Sequence, residues 1–163
     1  MTLDPARTVL LLNGPNLNLL GTRDPAQYGT VTLTEVEERV KALGTELGVE
    51  VVCAQTNGEG GMVDHIHRAR HWAGVVMNPG AYAHYSIALR DAVEAIEAPV
   101  VEVHISNVYA REEFRHTSVT APVVAGYVAG CGVFGYELGL RLVPRRAAGH
   151  RCCPGLASRR PSG

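Results

Sequence analysis

Short apolar runs, each ended by Gly, Pro, Asn or Ser, alternate along this chain with segments whose apolar residues recur every three to four positions. Residues 8–12 (TVLLL) are apolar at both side-chain parities and stop at Asn13-Gly14-Pro15, which predicts a short strand covered on both faces. Thr32 followed by Glu35 is the signature of a capping box, and Val36, Val40, Leu43 and Leu47 then repeat at helical spacing up to Gly48. The same reading predicts strands over 49–54, 74–77, 100–105 and 123–129. Helices are expected over 62–72, 85–96 and 133–142, the last stopped by Pro144. Five strands alternating with helices specify an α/β fold, an open, doubly wound parallel sheet with helices on both faces. Such sheets gather ligands outside the carboxyl ends of their strands, where the strand order reverses. Polar residues collect at those ends: Asn13 and Asn16 after the first strand, Asn78 after the third, and Glu102, His104, Ser106 and Asn107 along and after the fourth.

Composition narrows the function classes. With 163 residues, 46% hydrophobic and 19% charged, the chain is long enough for one cored domain and too apolar for general disorder. We expect a single catalytic domain over 1–143 and a disordered tail over 144–163. That tail holds five of the 15 basic residues and no acidic one, which leaves residues 1–143 with ten basic against sixteen acidic residues, a net charge of −6. An acidic body with a scattered basic tail lacks the footprint of a nucleic-acid binder. The four cysteines, two of them adjacent at 152 and 153, form no disulfide framework, and no CxxC spacing offers a zinc site. The apolar start is too short for a signal peptide or a membrane span, so a reducing, cytoplasmic setting without membrane partners is expected.

The fourth strand carries the most chemical information. Glu102 and His104 are two residues apart, hence on one face of a strand expected to be buried on both sides. An unpaired polar group there costs about 1–3 kcal/mol, so the two must pair or line a polar cavity. A carboxylate beside an imidazole orients it and favours its protonated form, which suits a general acid; a satisfied structural pair would leave the same spacing. The segment 19–30, with Gly21, Arg23, Pro25, Tyr28 and Gly29, reads as a lid over the strand ends, or as an ordinary solvated loop. A nearby arginine can favour the phenolate of Tyr28 and make it a usable base. Lys41 is the only lysine and sits in the charged stripe of the capped helix, so Schiff-base chemistry has no nucleophile. His65, His67 and His71 share one helix with charged residues and read as solvated surface. His84 precedes a helix and could meet an anion or cap a turn.

Three ordered motifs resemble the type II 3-dehydroquinate dehydratases: residues 12–21 (LNGPNLNLLG), 78–82 (NPGAY), and 102–107 (EVHISN) running on to 111–115 (REEFR). The likeness covers roughly residues 8–142. It implies a flavodoxin-like subunit that dehydrates 3-dehydroquinate to 3-dehydroshikimate through an enolate, with no metal, cofactor or Schiff base, in the shikimate pathway or in quinate breakdown. By the same resemblance Tyr28 is the base, Arg23 sustains its phenolate, His104 is the acid and Asn16 holds the water that steadies the enolate. Asn78 and the amides of Ile105 and Ser106 are expected to cradle the substrate carboxylate, His84 and Arg115 to bind hydroxyls, and Glu102 to support His104. Asp91 is expected to reach the site of a neighbouring subunit in a homo-oligomer, a dodecamer built from trimers. The chain departs from the family at Gly58, where a histidine is usual, and in the tail. A rival reading is a flavodoxin-like domain binding flavin or phosphate without catalysis. A second is a family member that only scaffolds, which would have no use for Asn16, Arg23, Tyr28, His104 and Arg115.

Overall fold

The computed structural model describes residues 3–22 and 30–143. Its centre is a sheet of five parallel strands, β1 (Thr8–Asn13), β2 (Glu50–Gln55), β3 (Gly74–Asn78), β4 (Val100–His104) and β5 (Gly126–Ala129), in the order β2-β1-β3-β4-β5. The expected flavodoxin-like, doubly wound topology is therefore present. β1, β3 and β4 are buried along their whole length, β1 and β3 as nearly continuous apolar runs and β4 with Glu102 and His104 among its valines, while β2 and β5 form the edges and are only partly buried.

Alternate side chains serve two cores. Val9, Leu11, Val76, Val101 and Val103 face α1 (Leu33–Leu47) and α4 (Phe134–Leu142), together with Val36, Val40, Leu43, Tyr136 and Leu140. Leu10, Leu12, Val75 and Met77 face α2 (Glu59–Arg68) and α3 (Ile87–Glu94), together with Met62, Ile66, Leu89 and Val93. Burying each such side chain contributes about 1.5–3 kcal/mol. The two cores together make this frame rigid enough to hold polar groups at its rim.

Helix α1 follows its sequence signals. Thr32 Oγ1 accepts from the Glu35 amide at 3.3 Å, Glu35 Oε2 accepts from the Thr32 amide at 2.7 Å, and Gly48 closes the helix at φ 73°, a conformation that favours glycine. Other boundaries differ from expectation. Helix α2 starts at Glu59 and ends at Arg68, because Ala69 to Trp72 tighten into i to i−3 turns, with Arg70 N donating to His67 O and Trp72 N to Ala69 O. β5 begins at Gly126 because the Pro122-containing stretch Ala121–Val123 forms a 3₁₀ turn. A 3₁₀ turn, Leu17–Leu19, leads into the expected lid (19–30); the centre of that segment, with Arg23 and Tyr28, and the tail lie outside the described residues.

Candidate active site

The strand order reverses at β1 and β3, whose carboxyl ends are locked side by side. Asn13 pairs in register with Asn78, and the Gly14 amide donates to Asn78 O at 2.8 Å. The approach is so close that a Cβ on Gly14 would lie 2.7 Å from Pro79 O, which is why glycine is required there. Beyond this junction opens a cleft lined by Pro15, Asn16, Leu17, Asn78, Gly80, His84, His104, Ile105, Ser106, Arg111 and Arg115, among others. It lies where the topology rule places a ligand.

Its back wall is the end of β4. Glu102 is fully buried and His104 is 6% exposed, and His104 Nε2 donates to Glu102 Oε1 at 2.8 Å. This is the pairing that burial demands. Ser118 Oγ adds a second donor to Oε1 at 3.3 Å, whereas Oε2 has no hydrogen-bond partner among the described residues. With Nε2 engaged, the Nδ1 side of the ring remains for a ligand in the cleft. Tyr127, 38% exposed, packs its ring 5.4 Å from that of His104, and partial burial pushes its phenol up to about 12.

His84 stacks on His104 with ring centroids 6.3 Å apart. Its Nδ1 is 2.8 Å from Thr117 O, an atom that can only accept, so Nδ1 carries the proton and Nε2 of the neutral ring is an acceptor. Partial burial, and the neighbouring His104 and Arg115, hold its pKa below the usual 6.5 against the opposing pull of the Thr117 bond. A neutral acceptor of this kind suits a ligand hydroxyl. Cationic charge comes from the loop after β4: Arg115 Nε donates to Glu112 Oε2 at 2.7 Å and stacks 4.9 Å from the Phe114 ring, while Arg111 Nη1 reaches Ser106 Oγ at 3.5 Å. The cleft thus joins imidazole donors and acceptors to a positive rim, an arrangement fit for an anionic, hydroxylated molecule.

The floor is a buried polar chain. Asn78 Nδ2 donates to Tyr136 Oη at 2.8 Å and Tyr136 Oη donates to Asn13 Oδ1 at 2.8 Å. Asn78 Oδ1 accepts from the Gly80 amide at 3.1 Å, so both ends of the amide are fixed and its second N–H hydrogen is left for the cleft. Burial raises the Tyr136 phenol above its ordinary range and keeps it protonated.

Asn16 stands at φ 67°, the left-handed region, and is the one non-glycine residue there among the described residues. Its amide donates to Asn57 Oδ1 at 2.9 Å, and Gln55 Nε2 donates to the same oxygen at 3.0 Å. This clamp offsets the roughly 1 kcal/mol or more that such a conformation costs. Gly58, next to it, has an ordinary φ of −94°, and a Cβ there would meet nothing closer than 3.8 Å, so the loop backbone does not depend on glycine at that position.

The structure brings together Asn16, Asn78, His84, His104, Ile105, Ser106 and Arg115 around one cleft, with Glu102 directly behind it. Asp91 is exposed on α3 and does not line that cleft. Arg23 and Tyr28 lie outside the described residues. Sequence reasoning overlooked Arg111, although it stands in the same short motif as Arg115. It also overlooked Tyr127, whose register partner Glu102 would have placed it beside His104 had the pairing of β4 and β5 been known. Lys41 is exposed on α1 and is absent from the cleft lining. No group of three or more His, Cys, Asp or Glu among the described residues could hold a metal ion, and none of their helices is long and apolar enough to cross a membrane.

Comparison with known proteins places most of the chain in one family. The family model described as dehydroquinase class II matches residues 7–144. A 3-dehydroquinate dehydratase of Pelotomaculum thermopropionicum is 57% identical over 134 residues, which are 82% of this chain and 93% of that protein. One from Variovorax paradoxus is 53% identical over 145 residues, 85% and 99% of the two chains. Among solved structures, the type II dehydroquinase of Propionibacterium acnes superposes with a TM-score of 0.80 at 48% identity, covering 83% of this chain and 94% of that one.

Proposed function

The chain belongs to the class II dehydroquinase family, and from that premise we propose that it is a hydro-lyase converting 3-dehydroquinate to 3-dehydroshikimate and water. The observation that carries this reading is the His104–Glu102 pair at 2.8 Å, opening onto a cleft that also holds neutral His84 and Arg115. The substrate is a cyclic hydroxy-ketone carboxylate, and each of its groups finds a complement. Asn78 and the amides of Ile105 and Ser106 hold the carboxylate, and His84 Nε2 and Arg115 bind ring hydroxyls.

In the proposed sequence, Tyr28 as phenolate, sustained by Arg23, removes the proton beside the ketone. The electron pair moves to the ketone oxygen, and the enolate is steadied by a water held by Asn16. The enolate then collapses, expelling the ring hydroxyl, which takes a proton from His104 and leaves as water. Tyr127 and Tyr136 are poor candidates for the base, because burial raises both phenols above their ordinary range. Glu102 keeps the His104 ring oriented and compensates its charge. Tyr28→Phe should lower kcat far more than it weakens substrate binding, because the phenolate acts in the transition state; near-normal kcat would move the base elsewhere. Borohydride added with substrate should leave activity intact, since no lysine lies in the cleft.

The flavin- or phosphate-binding rival is disfavoured by the loop after β1. Its donors are already committed: Gly14 N to Asn78 O at 2.8 Å and Asn16 N to Asn57 Oδ1 at 2.9 Å, with Pro15 lacking an N–H between them. The proposal includes assembly into a dodecamer of trimers. Ile87, 56% exposed, and Asp91 lie four residues apart on one face of α3, a surface that could meet a neighbour and carry Asp91 to its site. Sedimentation should give a mass twelve times that of the 17.4 kDa chain, and a monomer would contradict this part. The free thiols of Cys53 and Cys131 fit a cytoplasmic setting.

A further inference from the structure

We infer that Ser118 is a positioning residue for His104, acting through Glu102. This rests on the proposed function for its kinetic consequence, but not for its structural one. Ser118 Oγ lies 3.3 Å from Glu102 Oε1 and 3.2 Å from Thr120 Oγ1, and accepts from the Ala121 amide at 2.9 Å. A hydroxyl has a single proton, so it goes either to Glu102 or to Thr120. If it goes to Thr120, the fully buried carboxylate keeps only His104 as a donor, because Oε2 has no partner among the described residues. If it goes to Glu102, the buried Thr120 hydroxyl turns its own proton to Ser118, so the carboxylate gains a second donor and Ser118 Oγ still accepts one from Thr120. The second arrangement wins, and it defines a relay from Thr120 through Ser118 to Glu102, met from the other side by His104.

The same stretch of chain sets the other histidine of the cleft. Thr117 O receives the His84 Nδ1 proton at 2.8 Å, and the stretch is tied down where Val119 N donates to Ala83 O at 2.7 Å and Arg90 Nη1 donates to Val119 O at 3.1 Å. Residues 117–121 therefore form a strap behind the site that fixes the orientation of one histidine and the tautomer of its neighbour. Ser118 does not line the cleft, so its influence on a ligand must pass through Glu102 and His104.

The test compares Ser118→Ala, Ser118→Thr and Thr120→Val with the unaltered protein. Ser118→Ala should lower kcat about tenfold with KM within about twofold, since a proton donor is misdirected while the binding surface is untouched. Thr120→Val should give a smaller fall in the same direction, and Ser118→Thr, which keeps the hydroxyl, should recover most of the loss. In ligand-free protein, the ring ¹⁵N resonances of His104 should move in Ser118→Ala while those of His67 and His71, exposed and away from the strap, stay in place. Unchanged kcat in Ser118→Ala, equal loss in Ser118→Thr, or unmoved His104 resonances would overturn the inference. Absence of turnover in the unaltered protein would instead sink the functional reading, and the resonance comparison would still decide the role of Ser118.

Discussion

Replacing Glu102 by Gln keeps the side chain's shape and removes its charge, which isolates what the carboxylate does for His104. The 2.8 Å bond between them joins two groups of which one is fully buried and the other 6% exposed, so solvent screens little of it. A hydrogen bond to a charged partner contributes about 1.5–3 kcal/mol and a neutral one about 0.5–1.5, so the substitution weakens support of the imidazole by about 1–2 kcal/mol. At about 1.4 kcal/mol per decade of rate, kcat should fall roughly 5- to 30-fold. Stability should move little. The new amide group at the unpartnered Oε2 position buries orphan N–H groups, a cost of about 1–3 kcal/mol, while removal of a buried charge offsets it. The assay is steady-state formation of the enone product by absorbance, with urea unfolding alongside. A kcat within twofold of the unaltered protein would refute the claim that Glu102 supports the acid. A parallel collapse of stability and activity would make its role structural.

Three further expectations follow from the geometry. Tyr136→Phe breaks the bonds to Asn78 and Asn13 in a fully buried place and should lower the unfolding free energy by about 1–3 kcal/mol in urea titrations; an unchanged midpoint would show that the chain stabilises nothing. Gly14→Ala forces a Cβ to 2.7 Å from Pro79 O, so the ends of β1 and β3 must part, lowering stability by about 1–3 kcal/mol and raising KM. Because the His84 pKa is depressed in the fold, the folded state binds fewer protons than the unfolded state below the usual value of 6.5. Its contribution to stability is full above pH 6.5 and is lost as pH falls toward the folded value. Melting temperature should therefore drop more steeply between pH 7 and pH 5 in the unaltered protein than in His84→Asn.

The parallel α/β plan was legible because β1, β3 and β4 are buried on both faces, and full burial writes apolar residues at both side-chain parities, a pattern no amphipathic helix shares. Glu102 and His104 were legible for the same reason, as two charged side chains where the pattern allows none unpaired. The Asn13–Tyr136–Asn78 chain was not, since its bonds join residues 58 and 123 positions apart and nothing local marks a buried tyrosine as a hydrogen-bond bridge. Ser118 was invisible for a like reason: its meaning comes from the fold bringing it under β4. Asn16, Arg23 and Tyr28 look like loop residues by composition, and their expected roles came from resemblance to a family rather than from any physical pattern. The geometry adds a reason for Asn16 alone, in its left-handed backbone clamped by Asn57.

The most direct test of the account is turnover of 3-dehydroquinate by the purified, assembled protein, followed by absorbance of the conjugated enone carboxylate. The account predicts a rise in absorbance proportional to enzyme concentration, largely abolished by Tyr28→Phe and strongly reduced when His104 is replaced by Ala. No rise with correctly folded and assembled protein would contradict it.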